Sequence, residues 1–168
     1  MAAKNPQSSA AAIQTAQPPL RGLASWLAVV RAYQKCSEVL SLALKPLGLK
    51  LAQHEVLMML LASRHSAQPI TQQRLAENSY VTKSHMSGVL TEMANMHWIA
   101  RNDSALDKRS KVISLTPQGL VLAKRAYAAQ AEVIGVMMKP LSDRQVDELE
   151  RTSRNATLAL SDMAQRIG

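Results

Sequence analysis

The stretch 71–116 constrains this chain more than any other. Thr71 is placed to cap a short helix with Leu75 and Ala76 on its inner face, and Ser79-Tyr80-Val81 makes a tight turn. A longer helix is predicted over 82–96, where Met86, Val89, Leu90 and Met93 recur at the spacing of one helical face. Residues 98–101 and 111–116 read as short strands on either side of a charged loop, which makes a β-hairpin. Two helices on a tight turn followed by a hairpin is the element order of a winged helix-turn-helix.

The remaining elements are helical. Leu23, Leu27, Val30, Val39, Leu40 and Leu44 mark a helix over 23–44, broken at Pro46 and Gly48. A second helix over 52–63 is too apolar to be exposed and should be covered on several sides. Thr116 caps a further helix with Pro117 at its first position, and Pro140 ends it. Ser142 and Gln145 have capping-box spacing at the start of the last helix, which carries Val146, Leu149, Ala156, Leu160, Met163 and Ile167 as one apolar stripe. With no Phe, three Tyr and two Trp, the core falls to Leu, Ala, Val and Met, which favours helices.

The expected fold class is mainly α with a small β-hairpin wing. A winged helix-turn-helix lobe over 51–116 is joined to a helical dimerisation lobe built from 21–50 and 117–168. Residues 1–20, rich in Ala, Gln, Ser and Pro and without a continuous apolar run, are expected to be a disordered tail rather than a secretory signal. No run approaches the roughly 20 apolar residues that span a bilayer, so no membrane partner is expected. Cys36 is the single cysteine, which excludes an internal disulfide and fits a reducing, cytoplasmic setting.

Charge points to the partner. A net charge of +8 favours nucleic acid or another anionic surface. Opposite the buried stripe of the 82–96 helix lie Lys83, Ser84, Ser87, Gly88, Thr91 and Asn95, with His85 at the edge. Short polar side chains let a helix approach base edges and phosphates closely in the major groove; an ordinary solvated face is the alternative. In the hairpin, Lys108, Arg109 and Lys111 would repel one another unless a polyanion faces them, and Asp107 is placed to orient Arg109. A solvated basic turn is the alternative there.

Over about 47–119 the chain resembles the multiple-antibiotic-resistance regulator (MarR) family of bacterial transcription factors. "GLKLAQHEVLMML", "TQQRLAE", "SHMSGVLTEM", "IAR" and above all "DKRSKVISLTPQG" carry the resemblance, and the flanking helices extend it over about 22–167. The resemblance implies a homodimer built by the first and last helices, with Val146, Leu149, Leu160, Met163 and Ile167 at its interface. It implies two recognition helices on one palindromic double-stranded DNA operator, with half-sites roughly 34–36 Å apart. Asp107 and Arg109 would form the wing pair with Arg109 in the minor groove, and Arg101 would lie near the phosphates.

Two residues depart from the family. His97 stands where Gly often ends the recognition helix, at a position that asks for a left-handed backbone. His54 stands where an aromatic is common, and with Trp26, Arg31 and Tyr33 it suggests a pocket for a small, aromatic, anionic effector. A satisfied core histidine and an interface Trp are the alternatives. One family branch senses peroxide through a cysteine that would fall near Val30, which Cys36 does not match; a buried or interface thiol is the other reading. His54, His65, His85 and His97 are dispersed and no cysteine joins them, so neither a metal site nor a cofactor is expected. No phosphate loop or nucleophile elbow appears, which leaves catalysis unsupported. The reading is a dimeric, ligand-responsive repressor; the alternatives are a helical ligand- or protein-binding module of the same fold without specific DNA recognition, or a regulator that senses redox state through Cys36.

Overall fold

The computed structural model describes residues 20–65, 70–79, 83–103 and 111–167. Contacts divide the chain into two units, 1–36 and 37–168, and the boundary falls inside the first helix. That helix, α1 (Leu23–Leu44), has the bounds its periodicity predicts. Its first half exposes Leu23, Trp26, Val29 and Tyr33.

The core of the second unit gathers round α2 (Leu51–Ala62), which packs against the helices Lys83–Asn95 and Pro117–Met138 and the strand Lys111–Leu115. Val56, Leu57 and Leu60 of α2 are buried with Leu44 and Leu49. Gly48, at a φ of 67°, turns the chain between α1 and α2. Thr71 caps α3 (Gln72–Glu77) as expected, its hydroxyl accepting from the Arg74 amide at 3.2 Å, and Leu75 is buried. Then α4 (Lys83–Asn95) buries Met86, Val89, Leu90 and Met93, the four positions that its pattern marks.

The hairpin is antiparallel, β1 (Ile99–Asp103) against β2 (Lys111–Leu115), with Ile99 opposite Leu115 and Asp103 opposite Lys111. Ile99 and Ile113 turn inward. Residue 71 bridges to Val112, and the Ile113 amide donates to the Ile70 carbonyl at 2.9 Å, which ties the start of α3 to the sheet. The strand differs from the predicted 98–101: Asn102 and Asp103 extend it. An ion pair between Asp103 and Lys111, directly opposite, favours that extra ladder step.

Both ends of the hairpin are anchored. At the end of α4 the His97 amide donates to the Ala94 carbonyl and the Trp98 amide to the Met93 carbonyl, a Schellman pattern. His97 sits at its left-handed position with a φ of 56°, so the expectation for this residue holds. The Thr116 hydroxyl donates to the His97 carbonyl at 2.6 Å and accepts from the Gly119 amide at 3.0 Å. A side chain at Gly119 would begin 1.8 Å from the Trp98 carbonyl oxygen, so only glycine fits.

Thr116 and Pro117 open α5 (Pro117–Met138), which buries Gly119, Ala123 and Ala126. The Gln145 side chain reaches back to the Ser142 amide at 2.9 Å ahead of α6 (Asp143–Ile167). No residue of α6 is buried.

Candidate nucleic-acid interface

Because α4 commits one side to the core, its other side is left to solvent. Ser84, His85, Ser87, Gly88 and Thr91 are exposed there. Gly88 is informative: a glycine inside an exposed helix costs roughly 0.5–1 kcal/mol relative to alanine. A Cβ at this position would meet nothing within 4 Å, so no packing within the described chain calls for glycine. The glycine leaves this stretch of the face without a side chain.

Arg101 reaches this face from β1. Its Nη2 donates to the Thr91 Oγ1 at 3.1 Å, and that hydroxyl donates to the Ser87 carbonyl at 2.8 Å. Lys111 is exposed at the wing and pairs with Asp103 across the hairpin. Asp107, Lys108 and Arg109 lie outside the described residues, as does the side chain of Lys83.

A second contact escaped the sequence reading. The Gln53 Oε1 accepts from the Lys50 amide at 3.0 Å at the start of α2. The Lys50 Nζ, in turn, bonds the Glu92 carboxylate of α4 at 2.8 Å. The hydrogen bond from Lys50 holds the Glu92 carboxyl below its ordinary range, with the Lys50 charge and the Gln53 side chain acting in the same direction. These groups border a cleft of about 420 Å³ that His85, Gly88 and Val89 close from the α4 side. Gln53, three residues after Lys50, had capping-box spacing. Nothing local could announce a bond to Glu92, 42 residues on.

His54 is buried on α2, and its Nε2 has no hydrogen-bond partner among the described residues. Burial pushes the imidazole below its ordinary pKa, while a hydrogen bond with Gln130 of α5 and the nearby Glu55 charge partly oppose that shift. Trp26, Arg31 and Tyr33 are exposed on the first unit's part of α1, and Cys36 is half-buried. Leu149, Leu160, Met163 and Ile167 lie exposed along α6, with Val146 half-buried. No helix among the described residues is long and apolar enough to cross a membrane.

A helix-turn-helix followed by an anchored two-stranded wing defines the winged helix class of DNA-binding proteins. A MarR family sequence profile matches residues 49–111. An uncharacterised HTH-type transcriptional regulator of Bacillus cereus is 33% identical over 105 residues, 62% of this chain and 67% of that protein. AbsC, a MarR family transcriptional regulator from Streptomyces coelicolor, superposes with a TM-score of 0.74 at 21% identity, over 83% of this chain and 93% of its own. A MarR family protein of Mycobacterium tuberculosis, solved in complex with salicylic acid, superposes with a TM-score of 0.60 at 28% identity, over 84% of this chain and 98% of its own. The chain belongs to the MarR family of transcriptional regulators.

Proposed function

We propose that this regulator acts as a homodimeric repressor, laying two copies of α4 and two wings on a palindromic operator until a small aromatic acid releases it. The observation that carries the reading is the outer face of α4. Ser84, Ser87 and the unneeded Gly88 keep that face low, and Arg101 stands beside it. Arg109, with Asp107 to orient it, completes the contact in the minor groove, where a narrow groove's negative potential attracts arginine. The exposed stripe of α6 supports a second copy as partner.

Two substitutions test the DNA reading. Gly88→Leu should leave the melting temperature within a few degrees of wild type, because the site is open, yet cut operator affinity by at least tenfold. Arg109→Ala should cost roughly 1–3 kcal/mol in each half-site while the dimer persists. Unchanged affinity in a gel-shift titration of either variant would sink the assignment of that element. A steep salt dependence with no preference for any sequence would instead favour the binding-module alternative.

His54 supports the effector half of the proposal. A buried ring nitrogen without a partner is a costly feature in a core, and a bound acid could satisfy it. The salicylic acid complex of the mycobacterial relative gives the compound class to begin with. Salicylic acid should raise the melting temperature of wild type and not that of His54→Ala. An equal rise in both would remove His54 from the site.

A further inference from the structure

We infer that Thr91 is a positioning residue that holds Arg101 against α4, and that it does not read bases itself. The inference rests on the DNA-binding reading above. Its ground is the way one hydroxyl is used. Thr91 carries a single hydroxyl proton, and that proton is donated to the Ser87 carbonyl one turn earlier, at 2.8 Å. The rotor is thereby fixed, and the remaining lone pairs face away from the helix backbone. Arg101 Nη2 donates to the hydroxyl at 3.1 Å. A hydroxyl used in this way has no proton left for a base acceptor.

The benefit falls on Arg101. It is exposed on β1, and a free arginine side chain loses much rotamer freedom when it is ordered. Anchoring one of its five N–H groups on a rigid helix orders the guanidinium before DNA arrives and leaves four donors for a phosphate. The bond also joins the first wing strand to the middle of α4. A rotation of the wing relative to the recognition helix has to break it. At the other end of the wing, the Thr116 hydroxyl grips the His97 carbonyl directly behind α4, so Arg101 is presented by a hairpin held at its base and its flank.

The test is a double-mutant cycle on the full chain. Its probe is the tightest duplex recovered by repeated selection from a random pool, and binding is read by fluorescence anisotropy. Thr91→Val removes the hydroxyl and keeps the side chain's shape; it should weaken binding about tenfold. Thr91→Ser should restore affinity to within about threefold of wild type. In an Arg101→Met background, Thr91→Val should add less than about twofold, and base preference should stay the same throughout. Thr91→Ala repeats the comparison without a β-branched side chain, and circular dichroism melts should place all variants with wild type. Losses that add independently of Arg101, a changed base preference in Thr91→Val, or wild-type binding by Thr91→Val would each overturn the inference. A pool that enriches no sequence overturns the DNA-binding reading itself, and this inference with it.

Discussion

In α4 the apolar side is closed by the chain's own residues: Met86, Leu90 and Met93 are fully buried between α2, α3 and the wing. In α6 an equally regular stripe leaves Leu160 53% and Met163 51% exposed. Both helices are amphipathic. The difference is that α4 packs against α2, α3 and β1, whereas α6 buries none of its residues. An apolar stripe therefore tells where a helix needs a partner, and not whether that partner belongs to the same chain.

The sharpest way to break this contrast is to truncate the same residue type in both helices. Leu90→Ala should destabilise the fold by about 2–5 kcal/mol in chemical denaturation, through lost burial and the cavity left behind. Leu160→Ala, measured in dilute protein, should cost less than about 0.5 kcal/mol if α6 is uncovered within the chain. Leu160→Asp should weaken self-association by at least tenfold in sedimentation equilibrium, because a carboxylate in an apolar seam stays unpaired. A dimer of wild-type strength in that variant would place the seam elsewhere.

A smaller effect separates core from surface by pH. Burial lowers the His54 pKa in the fold, so folding favours the neutral ring. That contribution is complete above the ordinary histidine pKa of about 6.5 and is lost as pH falls from there through the folded value. Wild type should lose stability in this window, by no more than about 1.4 kcal/mol per pH unit for one proton. His54→Phe should flatten the slope; equal slopes would assign it to another group. A change of opposite sign is expected at the end of α4. His97→Gly relieves a left-handed residue and should stabilise the chain by about 0.5–1 kcal/mol. No gain in melting temperature would mean that the His97 side chain offsets its backbone strain.

Much of the fold was legible in local pattern. The bounds of α1, the Thr71 and Thr116 caps and the four inward residues of α4 all follow from periodicity and capping chemistry, which act over a few residues. The left-handed backbone at His97 was legible too, through the family resemblance. The candidate interface was legible as residue types: small and polar on α4, basic at the wing. Its wiring was not. The Thr91–Arg101 and Lys50–Glu92 bonds span 10 and 42 residues, and the opposition of Asp103 to Lys111 depends on hairpin register.

By itself, then, the sequence determined where helices begin and end, which faces are apolar and where cationic residues collect. Each of these is decided by chemistry within a turn or two of the chain. Tertiary structure alone decided that α4's stripe is covered and that α6's is not, among the described residues. It alone decided that Lys111 pairs with Asp103, and that the Thr91 proton is already committed when Arg101 approaches. A side chain's availability depends on what the fold brings beside it, and those neighbours come from distant parts of the chain.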